Sequence, residues 1–279
     1  MRYGVTMFAT DLAMPVDDLA VEAEARGFDA FYLPEHTHIP VSRLTAPPTG
    51  DAELREEYKR TVDPVVVLAA AAARTSTIRL GTGVMLPAQR EPIVTAKAIA
   101  TLQNLSGGRF CCGIGFGWNE DEMNDHGVDY RTRRAQTREH VLAMRALWAD
   151  EVAGFDGSFV QISPSWSWPK PEVPVPVLLG GGAGPKLFAH IAEYGNGWIP
   201  IGGAGLTDDI GRLKEVVADA GRDPESIEIV PFGSLPSHDK LDHFERIGVT
   251  ECVFRLPSAG RDEVMAVLDQ QAALLAERT

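Results

Sequence analysis

The sequence predicts a (β/α)8 barrel of the TIM type, formed as one domain over residues 1–279, with excursions after strand two and after helix four. Three observations carry this reading. Strand and helix patterns alternate eight times, and 279 residues is an ordinary length for such a fold. The strand segments are short, unbroken apolar runs, as in a parallel sheet buried on both faces. Glycine-rich and polar segments follow the C-terminal ends of the strands, where such a barrel gathers its chemistry. An open, doubly wound sheet is the competing arrangement.

Arg2 to Phe8 reads as strand one. Its helix has Pro15 in the first turn, Val16, Leu19, Ala20 and Ala23 on one face, and Gly27 as its stop. Phe28 to Pro34 is strand two, and a long polar loop then runs from Glu35 to Val62. Asp63 and Pro64 form an N-cap and N1 pair that opens an alanine-rich helix. Ile78 to Leu86 is strand three, and Glu91 to Leu105 its helix, stopped by Gly107 and Gly108. Arg109 to Gly115 is strand four; the residues after it read as loop, and the fourth helix spans Arg133 to Trp148. A second excursion, Glu151 to Glu172, is rich in Phe, Trp, Ser and Pro and reads as an appended hairpin or lid. Strands five to eight are Pro176 to Gly181, Gly197 to Ile201, Ser226 to Phe232 and Glu251 to Leu256. Their helices are read at Pro185 to Tyr194, Ile210 to Ala220, Leu241 to Ile247 and Glu263 to Glu277.

Composition narrows the function classes. A hydrophobic fraction of 44% with 23% charged residues belongs to a globular protein. The net charge of -13 argues against nonspecific binding of nucleic acid or anionic membranes, so a bound anion would need a local positive field. Met1 to Phe8 has no basic n-region ahead of a long apolar core, so no secretory signal is expected, and no apolar run reaches the length of a membrane span. Cys111, Cys112 and Cys252 suit a reducing cytoplasm, the expected compartment. They lack metal-ligand spacing and read as small core fillers.

The candidate chemistry lies at the strand ends. Glycines there cost chain entropy and make sense where a flat ligand or a phosphate meets bare backbone. Gly180 to Lys186 joins a strand to a helix through four glycines, and free amides at such a turn suit an anion, with Lys186 adding charge. It lacks the Gly-Lys-Ser/Thr ending of a nucleotide-triphosphate loop. Gly113, Gly115 and Gly117 have the wrong spacing for a dinucleotide fingerprint. His36 and His38 form an H-x-H after strand two. A zinc hydrolase would need further ligands at later strand ends, but strands five and six end in glycine, so no metal is expected. A single imidazole that bonds a heterocycle or moves a proton remains, with His36 the candidate and His38 read as loop packing. Arg90, Arg131, Arg133 and Arg134 flank the mouth and are either solvated surface charges or a steering field for an acidic cofactor tail. Trp118 follows a glycine mouth and could wall a pocket.

FYLPEHTHIP, the run from DPVVVLAAAAARTSTIRLGTGVMLPAQREP through LSGGRFCCGIGFGWNEDEM, and PVLLGGGAGPKLFAHIAEYGNGW together resemble the bacterial luciferase-like flavin and deazaflavin oxidoreductase superfamily. Within it the sequence is most similar to the F420-dependent branch of actinobacterial type. The resemblance implies a deazaflavin across the barrel mouth, a homodimer, and a non-prolyl cis peptide at Gly83-Val84 beneath the ring. It implies cofactor contacts by Glu35 and His36, and phosphate contacts by Gly115, Phe116, Gly117 and Trp118 and by Gly181, Gly182 and Ala183. Trp118 stands where the sugar-phosphate dehydrogenase branch has a glutamate acid, so that substrate and proton donor are not expected. Glu35 and Asn196 each replace a common aspartate.

The expected activity is hydride transfer between coenzyme F420 and a small organic molecule, with His36, helped by Glu35, as the catalytic pair. An FMN-dependent monooxygenase using reduced flavin and oxygen is the alternative. A noncatalytic flavin- or deazaflavin-binding protein is the alternative of another class.

Overall fold

Eleven strands and ten α-helices are assigned in the computed structural model, which describes residues 1–46, 53–201, 203 and 205–278. The strands are β1 (Arg2–Thr6), β2 (Ala30–Leu33), β3 (Arg79–Thr82), β4 (Phe110–Ile114), β5 (Ala153–Asp156), β6 (Gln161–Ser165), β7 (Val177–Gly180), β8 (Gly197–Ile199), β9 (Glu228–Ile229), β10 (Phe232–Ser234) and β11 (Glu251–Arg255). The helices are α1 (Val16–Ala25), α2 (Glu56–Lys59), α3 (Pro64–Arg74), α4 (Pro92–Leu105), α5 (Glu120–Asp125), α6 (Arg133–Ala149), α7 (Pro185–Tyr194), α8 (Leu206–Asp219), α9 (His238–Arg246) and α10 (Arg261–Ala276).

Nine strands pair in the order β10-β11-β1-β2-β3-β4-β7-β8-β9, and every pairing in this sheet is parallel. The two strands at the ends of that order, β9 and β10, are separated in the chain only by Val230 and Pro231, so the sheet curls back on itself. The Val230 amide donates to the Trp198 carbonyl at 2.9 Å, and the Val253 amide to the Pro231 carbonyl at 3.0 Å. The single seventh strand read from the sequence is thus two pieces, because Pro231 has no N–H to continue the ladder.

Side chains alternate between two apolar cores. Inside the curl lie Ala30, Tyr32, Cys111, Leu178, Ile199, Val230, Phe232 and Val253, with Val84 packed against them. Outside it, Cys112, Leu19, Leu68, Ile99, Val141 and Leu268 share a larger core between strands and helices. Adjacent Cys111 and Cys112 therefore face opposite cores. All three cysteines are buried free thiols, and burial pushes Cys111 and Cys252 up to about 12.

Local capping sets the helix starts. Asp63 accepts from the amides of Val65 and Val66 at 2.9 and 3.1 Å, with Pro64 in the first turn, as the sequence pattern required. Helix α8 begins at Leu206 rather than Ile210, behind Gly205 in the left-handed region and with Asp208 and Asp209 in its first turn. The loop after β2 carries α2, and residues 47–52 of that excursion lie outside the described residues. After α6 the chain forms the antiparallel pair β5 and β6. Among the described residues no helix is long and apolar enough to cross a membrane.

A further sequence expectation is corrected here. The residues after strand four, read as loop, form the short helix α5. Its Asn119 cap accepts from the Glu122 amide at 3.4 Å, and Glu120, Asp121 and Glu122 sit where the helix dipole favours negative charge.

Candidate active site

The ends of β2, β3 and β4 bring His36, Val84 and Trp118 to one end of the curled sheet. The Gly83-Val84 peptide is cis. Just beyond it the Met85 amide donates to the Gly113 carbonyl at 2.8 Å, and the Gly115 amide to the Met85 carbonyl at 2.7 Å. A methyl group placed on Gly115 would lie 2.5 Å from Val84 Cγ2, and one on Gly180 would lie 2.9 Å from Val84 Cγ1. These two strand-end glycines therefore make room for the valine rather than leaving backbone bare for a ligand.

Glu35 is buried and braces this bulge. Its Oε2 accepts from the Leu86 amide at 2.7 Å and its Oε1 from Arg90 Nε at 2.6 Å. Burial pushes its carboxyl up, while the Arg90 pair and the Leu86 bond oppose that shift. Arg90 also pairs with Asp63 at 2.7 Å, which removes it from the steering field considered above. Glu35 and His36 are consecutive but serve different neighbours.

The partner of His36 comes from α5. His36 Nδ1 lies 2.8 Å from Glu122 Oε2, and the Thr37 amide donates to Glu122 Oε1 at 3.1 Å. Glu122 has no exposed surface, and His36 is 8% exposed. On the far side of the ring, Trp118 Nε1–H donates to His36 Nε2 at 3.3 Å. These partners assign the neutral ring a proton on Nδ1 and a lone pair on Nε2. His38 turns away instead, with Nε2 3.0 Å from Asp125 Oδ2. Half-buried rings surround His36: Tyr58 at 5.4 Å and Trp118 at 5.6 Å between centroids, with Phe8 4.7 Å from Tyr58.

The glycine turn after β7 is open where the strand ends are not. Methyl groups on Gly182 or Gly184 would meet nothing within 4 Å. The Gly181 carbonyl accepts from Trp198 Nε1 at 2.8 Å and the Gly181 amide bonds Ile199 at 3.2 Å, so the turn is pinned from below. Among the described residues the amides of Gly182 and Ala183 have no partner. Lys186 is exposed on the first turn of α7. Phe116 is buried between the Arg134 guanidinium, 4.3 Å from its ring centre, and the His190 ring at 5.2 Å. Gly117 takes φ +75°, and a methyl group there would strike the Met123 side chain. Arg131 is exposed and paired with Asp129, and Arg133 stacks over Tyr130 at 3.5 Å.

Three contributors escaped the sequence reading. Glu122 carried a usable signal, since Asn119-x-x-Glu122 before Met123 is a helix-start pattern. Tyr58 lay in an excursion with no periodicity to place it. Gln89 sits on a 3-10 turn after β3; both its amide atoms are buried and, among the described residues, unpartnered. Asn119 Nδ2 and Arg134 Nη1 are orphaned in the same way. Buried polar atoms without partners are costly, so several near one glycine mouth point to a polar ligand. With the open glycine turn they fit a flat heterocycle carrying an anionic tail. A cavity of about 680 Å³ lined by Arg145, Trp148, Pro174 and Asn196 lies at the opposite end of the strands. Among the described residues no group of three or more His, Cys, Asp or Glu is placed to hold a metal ion.

A curled parallel sheet with its polar cluster at the C-terminal rim defines a barrel-type α/β protein. Residues 13–246 match the luciferase-like monooxygenase family, and the chain belongs to that family. An uncharacterized protein of Mycobacterium tuberculosis is 46% identical over 280 residues, covering 99% of each chain. The F420-dependent glucose-6-phosphate dehydrogenase of Kineococcus radiotolerans is 32% identical over 192 residues, 68% of this chain and 52% of that protein. Among solved structures, an F420-dependent secondary alcohol dehydrogenase in complex with an F420-acetone adduct superposes with a TM-score of 0.78 at 19% identity over 98% of each chain. The monooxygenase RslO1 from Streptomyces bottropensis gives 0.77 at 21% identity over 100% of this chain and 99% of that one.

Proposed function

We propose that the protein is an oxidoreductase that transfers a hydride between coenzyme F420 and a small organic substrate. The observation that carries this is the meeting, at one rim, of a histidine–carboxylate pair, a valine bulge and an open glycine turn. The F420-dependent relatives support the choice of cofactor. When bound, the deazaflavin supplies or accepts the hydride. Val84 floors the heterocycle, and the Gly182 and Ala183 amides cradle its phosphate above the pinned Gly181, with Arg134 and Lys186 supplying positive charge. Gln89 is positioned to satisfy a polar edge of the ring.

His36 handles the proton that accompanies the hydride. Glu122 fixes the ring through Nδ1, which leaves Nε2 to take up or give the proton once the Trp118 indole N–H that it accepts from turns away. The carboxylate then lies opposite the positive charge on the ring. Glu35 keeps the bulge in place through Leu86 and Arg90. The active form is proposed to be a homodimer.

Fluorescence titration tests the reading. F420 is expected to bind with a Kd of about 1 μM, with FMN binding at least about tenfold more weakly. Tighter binding of FMN would move the assignment to a flavin-dependent monooxygenase, in keeping with RslO1. Tight F420 binding without hydride exchange on any donor or acceptor would favour a noncatalytic carrier.

A further inference from the structure

We infer that the substrate is an uncharged molecule with a flat apolar or aromatic body, taken up against the angled face that Tyr58 and Trp118 form beside His36; the inference rests on the F420 reading and specifies its second ligand. Two observations carry it independently. The first is the wall. Phe8, Tyr58 and Trp118 are half-buried, so each ring leaves part of itself open, and they form a continuous chain of contacts around a buried imidazole. Tyr58 and Trp118 meet edge to face at 6.1 Å and 85°, which gives an angled apolar surface with His36 at its corner. Such surfaces gain most from burying a planar apolar body.

The second is charge. On this side of the mouth the cations are already engaged: Lys59 with Glu56, Arg60 with Asp11 and Glu56, Arg90 with Glu35 and Asp63, and Arg255 with Glu57. Arg55 also has a partner. Arg43, whose Nε has no partner among the described residues, lines a cleft of about 450 Å³ with Glu53 and Lys59 that none of the three wall rings borders. A phosphorylated or carboxylated substrate would meet several carboxylates whose cations are already paired, and that repulsion disfavours it. Across the mouth, Arg133, Arg134 and Lys186 make no ion pair among the described residues. Free positive charge thus lies with the glycine turn, where the cofactor's phosphate is placed, and not with the aromatic wall.

A bound reduced deazaflavin would supply a hydride to an electrophilic carbon of the substrate, and the displaced π pair would take a proton from the side of His36, so that oxidation of the cofactor balances reduction of the substrate.

A matched pair of probes tests the inference on the F420-loaded protein. 2-Naphthol and 2-naphthyl phosphate share one ring system and differ by the phosphate. The naphthol is expected to bind at least about tenfold more tightly. Tyr58→Ala should weaken naphthol binding about tenfold while the F420 Kd changes less than about twofold, and Tyr58→Phe should restore it. Equal or tighter binding of the phosphate ester, binding of neither probe, or equal loss of cofactor and naphthol affinity in Tyr58→Ala would each overturn the inference. Failure of F420 to bind in the first titration would instead overturn the underlying cofactor reading, so the two failures are told apart.

Discussion

Where β1, β2 and β11 end, Lys59, Arg60, Arg90 and Arg255 are each held by a carboxylate. Where β4 and β7 end, Arg134 lies over the Phe116 ring and Lys186 stands exposed, and neither is in an ion pair among the described residues. Both halves contain acids, bases and glycines, so composition does not separate them. They differ in which charges are already spent. Arg90 is scaffolding, since removing it leaves the buried Glu35 carboxyl uncompensated, whereas the Lys59, Arg60 and Arg255 pairs lie nearer the surface. An unpaired arginine is available to a ligand. Burial works against the charge on Arg134, with Arg133 adding repulsion, so an incoming anion would relieve both.

The sharpest way to break this comparison is at His36. His36→Ala is expected to lower kcat by roughly 10²–10⁴-fold, the usual range for losing an acid–base group. Glu122→Gln keeps the size of the side chain but not its charge. Turnover should fall roughly 10–100-fold, with little change in F420 affinity or in the urea midpoint. A purely structural Glu122 would lose stability in step with turnover.

Glycines distinguish the halves next. Gly115→Ala places a methyl 2.5 Å from Val84 Cγ2, so urea unfolding should show a loss of about 1–3 kcal/mol. Gly182→Ala meets no neighbour, so stability should change by less than about 0.5 kcal/mol while F420 binding weakens. If both variants lose stability alike, the distinction between filled and open glycines fails.

The smallest expected effect concerns histidines below the second half. His140 is buried with Nδ1 2.7 Å from the Pro87 carbonyl, and burial depresses its proton affinity; burial does the same to His190. The folded protein then binds a proton less readily than the unfolded chain. The stabilisation is complete above the ordinary value of 6.5 and is lost as pH falls through the depressed folded value. The urea midpoint should therefore drop between about pH 7.5 and about pH 5.5, and His140→Asn should flatten the drop. An unchanged slope in that variant would exclude His140 as its source.

Much of this arrangement was legible before any coordinates. Alternating patterns located the strands, Asp63-Pro64 announced a helix start, and the glycine turn after Leu179 was marked as an anion cradle by its position between strand and helix. These signals concern neighbours a few residues apart, and short-range sterics and hydrogen bonding suffice to fix them. The resemblance to luciferase-like oxidoreductases placed the cis peptide at Gly83-Val84. The break in the seventh strand at Pro231 was also written in the sequence, though it was read as continuous.

What only the tertiary structure decided are the pairings made when the sheet curls. His36 and Glu122 are separated by 86 positions and become partners because β2 and the segment after β4 end at the same rim. Glu35 bonds Leu86 and Arg90 rather than His36, and two of the strand-end glycines house Val84. No local pattern specifies such contacts, because which face of one strand end meets which helix is fixed only once the whole ring of packing is in place.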